Sequence, residues 1–97
     1  MEKVKTYQRY LRLERGLSAN TLEAYMLDLA KLQSFLKDKN LKEEDVKLRD
    51  LEEFAATLYD LGIAPASQSR ILSGVRSYFR FLVLDGFLES DPSELLE

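Results

Sequence analysis

Apolar residues recur at every third or fourth position in four stretches of the chain. In the second stretch the apolar residues are Leu22, Tyr25, Met26, Leu29, Leu32 and Leu36. Residues at this spacing share one side of an α-helix, because the helix has about 3.6 residues per turn. No stretch shows the convincing apolar–polar alternation of a half-buried strand. The chain is therefore predicted to be all-α, with each helix burying one face against the others.

Short segments with residues that favour helix starts and ends separate the four predicted helices. Gly16 and Gly62 each follow a periodic stretch, and glycine is favoured just beyond a helix C-terminus. Ser18 is a suitable N-cap for the second helix, although Asn20, with a glutamate three residues later, offers a rival capping box. Pro65 suits the first turn of the fourth helix. The predicted helices cover about residues 2–15, 19–37, 48–61 and 65–85, with one further turn at 43–46.

The length of the chain and its short connections indicate one domain. Its 97 residues suffice for a single core without disulfides or metal, so a compact four-helix bundle is predicted. Phe87 and Leu88 are expected to fold back over the end of the fourth helix. The stretch Ser90-Asp91-Pro92-Ser93 has the composition of a new helix start or a linker. The last residues are therefore predicted to form a dangling end.

Two residue types that carry much enzyme chemistry are missing. The chain has no Cys and no His, so it lacks the common nucleophile–base pairs and the ordinary transition-metal ligands. None of the tyrosines has catalytic companions. Tyr25 and Tyr78 fall on apolar stripes and are predicted to be core residues with hydrogen-bonded hydroxyls. We therefore expect a non-catalytic chain that holds no cofactor and no metal.

The sequence has no feature that directs it to a membrane. No apolar run approaches the roughly 20 residues needed to cross a bilayer. The N-terminus, Met-Glu-Lys-Val-Lys, lacks the apolar core of a secretory signal. A cytoplasmic protein without a membrane partner is expected.

Charge is unevenly distributed along this acidic chain. The net charge is −3, yet residues 62–84 contain three arginines and no acidic residue. At about 100° per residue, six polar residues of this stretch fall within about 120° of one another on a helix. They are Ser69, Arg70, Ser73, Arg76, Ser77 and Arg80. Arginine pairs with phosphate and serine adds hydrogen bonds, so this face suits a polyanion, although a merely solvated face is the alternative.

Carboxylates are concentrated before and within the third predicted helix, at Glu43, Glu44, Asp45, Asp50, Glu52 and Glu53. Carboxylates so closely spaced on a polar face are usually solvated, and the spacing of a calcium-binding loop with its glycine is absent. We expect a negative face that points away from a polyanion and helps to orient docking.

Two strings of the sequence resemble the core-binding domain of tyrosine recombinases. Residues 10–25 read YLRLERGLSANTLEAY, which resembles the family's opening pattern E-R-G-L-S-x-N-T-x-x-x-Y. Residues 69–82 read SRILSGVRSYFRFL, which is similar to its R-x-L-S-x-x-R-x-F-[FY]-x-F-L helix. Gly86 and Asp91-Pro92 match the family's exit from that helix. The similarity covers nearly the whole chain in the right order, and Xer-type recombinases are the most similar members.

The resemblance implies a SAM-like (lambda-integrase-like N-terminal) domain that forms one jaw of a C-shaped clamp around double-stranded DNA. The second and fourth helices would lie toward the major groove of a recombination half-site. Residues 1–90 would form this core-binding domain, and residues 91–97 would begin the linker to an absent catalytic domain. The lack of His agrees, because the family's catalytic cluster requires one. Neighbouring recombinase subunits and the protein's own catalytic domain are the other implied partners.

The same resemblance identifies candidate DNA contacts on the second and fourth helices. Arg70, Arg76 and Arg80 are expected mainly to contact phosphate. Lys31 lies opposite the apolar stripe of the second helix, where it reaches either a DNA backbone or solvent. Hydrogen bonds to DNA are expected from Asn20, Thr21, Ser69, Ser73 and Ser77. As alternatives, Ser18, Asn20 and Thr21 serve only as caps, and the serines together with Gly74 allow close helix packing.

Four large hydrophobic residues, Leu13, Leu27, Phe35 and Phe81, lie off or at the margin of the apolar arcs. They are either scattered surface residues or a second packing layer, or else they form a contact with a neighbouring subunit or the missing catalytic domain. They support the alternative function, a helical protein-interaction module that does not bind DNA. We expect the isolated domain to be a monomer.

Overall fold

The computed structural model describes residues 2–97, which form four α-helices and one 3₁₀ turn. The helices are α1 (Glu2–Leu13), α2 (Ala19–Asp38), α3 (Leu48–Asp60) and α4 (Pro65–Leu84), and the 3₁₀ turn is Glu43–Asp45. These residues contain no strand, so the predicted all-α fold is confirmed. No helix in this range is long and apolar enough to cross a membrane. Met1, the first residue of the predicted domain, lies outside the described residues.

The N-terminus of α2 is determined by Ser18. Its Oγ accepts a hydrogen bond from the Thr21 N–H at 3.2 Å and donates one to the Thr21 hydroxyl at 3.0 Å. The first N–H groups of a helix have no partner within the helix, and the Ser18 side chain satisfies one of them. The rival prediction of a capping box at Asn20 is wrong, because Asn20 already lies inside the first turn.

A carboxylate at the start of α3 and a glycine after its end determine where the helix begins and stops. At its start, the N–H of Lys47 donates to Asp50 Oδ2 at 2.9 Å, so a carboxylate in the first turn satisfies the backbone donor of the N-cap residue. At its end, Gly62 has φ of 80°, which glycine adopts without a Cβ clash. The Gly62 N–H donates to the Tyr59 carbonyl at 3.0 Å. Gly62 therefore closes α3 as its position in the sequence predicts.

The helix α4 lies at the centre of the bundle, because it contacts each of the other three helices, while α1 also contacts α2. The apolar stripes predicted from the sequence supply the core. The helical residues in it are Tyr7, Leu11, Leu22, Leu29, Leu32, Leu36, Leu51, Phe54, Leu58, Ile71, Leu72, Val75, Tyr78, Phe79, Phe81 and Leu82. With most of its circumference buried, α4 leaves one polar arc free.

Two of the four marginal hydrophobic residues belong to a second packing layer. Phe81 is buried, and its ring centroid lies 5.3 Å from that of Tyr7 and 4.9 Å from that of Tyr10. The ring of Phe35 is half-buried, with its centroid 5.3 Å from that of Phe54. Both rings pack against an aromatic residue of another helix, which explains their positions beyond the main stripes.

The residues after α4 fold back onto the bundle. The N–H groups of Phe87 and Leu88 donate to the Leu82 carbonyl at 2.8 and 3.1 Å, which confirms the predicted reversal. Beyond it, Ser93 is fully buried and Leu96 is only 7% exposed within the core. The prediction of a dangling end is therefore wrong, because an apolar side chain near the C-terminus is buried against the bundle.

Candidate nucleic-acid interface

The polar arc of α4 is open to solvent over most of its length. Ser69, Arg70, Ser73 and Arg80 are exposed. Arg76 and Ser77 are half-buried. The arc that the sequence predicts thus exists as a surface, although its members differ in how far they reach solvent.

A buried carboxylate connects α2 to this arc. The side chain of Asp28 is only 5% exposed, and it accepts hydrogen bonds from Arg70 Nε at 2.9 Å and from Arg70 Nη2 at 3.0 Å. Lys31 Nζ lies 3.8 Å from Asp28 Oδ1. The hydrogen bonds to Asp28 and its negative charge raise the pKa of Arg70. Lys31 and Arg70, predicted from separate helices, are therefore neighbours. We call Lys31, Ser69, Arg70, Ser73, Arg76 and Arg80 the α2–α4 face.

Sequence pattern alone does not identify Asp28, the residue that links α2 to this surface. It precedes the core residue Leu32 by four positions, so it lies only about 40° from a buried direction on α2. A carboxylate at such a position needs a partner when the chain folds, and arginine is the preferred partner. The helical position of Asp28 thus indicates that its carboxylate is buried and paired. The partner lies 42 residues away in the sequence, so no local spacing identifies it.

Arg76 connects the α2–α4 face to the C-terminal segment. Its Nη1 donates to the Leu96 carbonyl at 3.2 Å, and its Nη2 donates to Ser73 Oγ at 3.2 Å. The guanidinium is thereby held close to α4. Part of its hydrogen-bonding capacity is used inside the protein.

The α2–α4 face has carboxylates beside it in space, although α4 itself has none. Arg76 and Arg80 line a groove together with Asp91 and Glu94 of the C-terminal segment. Arg80 is exposed and forms no ion pair with any residue from 3 to 97. The negative charges lower the electrostatic potential that this end of the face presents to an anion.

The helix-packing alternative is correct for Ser77 and wrong for Gly74. Ser77 Oγ accepts a hydrogen bond from the Tyr7 hydroxyl at 2.9 Å. Burial raises the pKa of Tyr7 to about 12, against the opposing effect of this bond, so the hydroxyl stays protonated at neutral pH. Ser77 therefore lies against α1. A Cβ atom at Gly74 would meet no atom within 4 Å, so no close helix approach requires that glycine.

Asn20 and Thr21 lie in the exposed first turn of α2. The Thr21 hydroxyl accepts from Ser18, and the Thr21 N–H is bonded to Ser18 Oγ. The capping role predicted for Ser18 is confirmed. The contacts of Asn20 and Thr21 with DNA stay a prediction.

Two carboxylates before α3, Glu43 and Glu44, interact with other side chains of the bundle. The buried hydroxyl of Tyr78 donates to Glu43 Oε2 at 2.6 Å, and Lys3 Nζ lies 4.0 Å from Glu43 and 3.6 Å from Glu44. Burial, followed by the bond to Glu43, raises the pKa of Tyr78 strongly. The prediction for Tyr78 is confirmed, whereas Glu43 is not simply solvated. Tyr25 is half-buried, and its hydroxyl forms no hydrogen bond within residues 3–97, so that part of its prediction is wrong.

The sequence profile of the phage integrase N-terminal SAM-like domain matches residues 4–86. The match covers most of the chain and includes nearly all of α1 and the whole of α2, α3 and α4. This chain belongs to that family. The predicted SAM-like class of the bundle and the resemblance to recombinases are thereby confirmed.

Similar proteins from three organisms carry the name tyrosine recombinase XerD. The protein from Proteus mirabilis is 44% identical over 84 residues, which cover 87% of this chain and 27% of the relative. The protein from Rhizobium meliloti is 33% identical over 94 residues, covering 97% of this chain and 30% of the relative. The protein from Staphylococcus aureus is 33% identical over 95 residues, covering 97% and 32%. The chain thus spans about a third or less of the length of these relatives.

Proposed function

We propose that this chain binds double-stranded DNA through the α2–α4 face, as the core-binding domain of a site-specific tyrosine recombinase. The charge of that face supports the proposal most directly. Its four cations are Lys31, Arg70, Arg76 and Arg80, while Asp28, the one carboxylate of α2 between residues 24 and 37, is buried and paired. Phosphate contacts from such cations dominate the affinity of proteins for DNA.

Each part of the face has a role that follows from its chemistry. Arg80 is free to donate paired hydrogen bonds to one phosphate, and Arg76 retains donors beyond those given to Leu96 and Ser73. The exposed hydroxyls of Ser69 and Ser73 add hydrogen bonds that do not depend on charge. Asn20 and Thr21 lie at a helix N-terminus, where the helix dipole favours an anion.

The chain alone is expected to bind DNA weakly. Four cations neutralise few phosphates, and Asp91 and Glu94 lie beside two of them. Weak binding is compatible with a domain that positions a larger enzyme on its site. Much of the affinity then comes from parts of the whole recombinase outside this chain.

The names of the relatives concern whole proteins, of which this chain spans 27–32%. We propose that residues 1–90 are the DNA-binding domain, that residues 91–97 begin the connection to a catalytic domain, and that DNA cleavage belongs to that other domain. Neighbouring recombinase subunits are the proposed protein partners. Such a protein acts on DNA in the cytoplasm, which is the proposed location.

A protein-interaction module is the second candidate function. Leu13 is 67% exposed and Leu27 is 61% exposed, and neither side chain has a place in the core. Exposed leucines of this kind suit a contact with another protein. This candidate predicts no response of the α2–α4 face to DNA.

An NMR titration of the ¹⁵N-labelled chain with a short mixed-sequence duplex tests the proposed function. At low salt, amide shifts are expected to cluster on α4 around Ser69–Arg80 and on α2 around Asn20, Thr21 and Lys31, because the phosphates approach these groups. Amides of α3 serve as the internal control and should move little. Shifts spread evenly over all four helices, or confined to α1 and α3, contradict the proposal.

A further inference from the structure

The pairing of Asp28 with Arg70 is bidentate and joins α2 to α4. Apart from the tyrosines of the core, Asp28 and Ser93 are the only polar residues among the described side chains that are buried. Burying a carboxylate is costly unless it is paired and hydrogen-bonded. Both oxygens of Asp28 are used by Arg70, and Lys31 lies near one of them. The carboxylate is thus held in one orientation.

The hydrogen bonds use the side edge of the Arg70 guanidinium. They involve Nε and Nη2, so both N–H groups of Nη1 and one N–H group of Nη2 remain unbonded to Asp28. The Arg70 side chain is 58% exposed, which leaves this end of the fork accessible. Two parallel N–H groups at the end of a guanidinium match two phosphate oxygens, or O6 and N7 of guanine.

We propose that Asp28 is a positioning residue for DNA recognition, which fixes Arg70 so that the end of its guanidinium faces the DNA. The proposal rests on the proposed function of the α2–α4 face. An arginine side chain otherwise loses rotamer freedom when it binds, and holding it in advance removes part of that cost. Lys31 offsets the negative charge of Asp28, so the three residues together remain cationic.

The opposite interpretation is that Asp28 sequesters Arg70 and keeps it from DNA. The two interpretations predict opposite signs for one substitution. In Asp28→Asn the net charge rises by one, which by electrostatics alone favours DNA binding. If Asp28 positions Arg70, binding should nevertheless become about 2- to 10-fold weaker, because Arg70 must be ordered during association. If Asp28 sequesters Arg70, binding should become tighter.

The experiment measures the affinity of the full chain for one mixed-sequence duplex at low salt, by fluorescence anisotropy. Asp38→Asn, at the exposed C-terminal residue of the same helix, is the charge-matched control and should leave affinity unchanged or slightly higher. In an Arg70→Gln background, Asp28→Asn should no longer weaken binding. A structural role of Asp28 that does not act through Arg70 would instead weaken binding in both backgrounds.

A second variant covers the case in which Asp28→Asn is unfolded at the assay temperature. Arg70→Lys keeps the charge at an exposed position. A lysine ammonium, however, cannot make two hydrogen bonds to Asp28 and at the same time offer two parallel N–H groups to DNA. It is also expected to bind about 2- to 10-fold more weakly, whereas unchanged affinity overturns the inference. Tighter or equal binding by folded Asp28→Asn overturns it as well, while the proposed function stands. Failure of the unmodified chain to bind any duplex contradicts the proposed function itself.

Discussion

Replacing Arg76 and Arg80 together by glutamate is expected to lower the affinity of the chain for duplex DNA on the order of 100-fold or more at low salt. Each arginine loses charged hydrogen bonds to phosphate, and each glutamate repels the phosphates that remain. The melting temperature should fall by less than about 10 °C, because Arg80 is exposed and the substitution of Arg76 removes only two hydrogen bonds, to the Leu96 carbonyl and to Ser73 Oγ. Fluorescence anisotropy and thermal denaturation measure the two effects.

The charge-matched control for this variant is Arg12→Glu with Arg49→Glu. Both arginines are exposed, one on α1 and one on α3, and the change in net charge is the same. The control should weaken binding only a few-fold, because charges far from the DNA are screened. If the Arg76 and Arg80 variant keeps its DNA affinity but loses self-association, the protein-interaction module is the better account.

Truncating Leu32 to alanine is expected to destabilise the chain by about 2–5 kcal/mol. Leu32 is completely buried on α2, where α2 packs against α4. The removed methyl groups leave a cavity that the neighbouring helices fill only in part. For a domain of this size the melting temperature should fall by roughly 10–30 °C, measured by circular dichroism. DNA binding at a temperature where the variant is folded should be nearly unchanged.

Leu27→Ala is the matched control for the core truncation. It makes the same chemical change on the same helix, but Leu27 is 61% exposed. Its effect on stability should stay within about 0.5 kcal/mol. Equal destabilisation by the two substitutions would mean that α2 does not bury the face assigned to it. A loss of self-association in Leu27→Ala would instead support a protein contact at this position.

Features that depend on neighbouring residues could be predicted from the sequence. Ser18 caps α2 and Gly62 closes α3 because each acts on backbone groups within one helical turn. Pro65 begins α4 for the same kind of reason. The polar arc of α4 also follows from spacing alone. All of these arguments need only the geometry of a single helix.

Features that depend on how helices cross could not be predicted in the same way. Phe81 is buried because α1 brings two tyrosine rings to it. Asp28 meets an arginine 42 residues away, and Leu96 returns to the core after a stretch that has the composition of a linker. To predict each of these contacts one must know where a second helix or segment lies. The spacing of residues within one helix does not give that information.

The central claim is that the α2–α4 face binds DNA through its cations, and the salt dependence of binding tests it most directly. Each neutralised phosphate contributes about −0.9 to the slope of log K against log salt, so the four cations of the face predict a slope of roughly −3 to −4. The variant with Arg76 and Arg80 reversed should lose about 2 units of that slope. A slope near zero, or the same slope in both proteins, would contradict the claim.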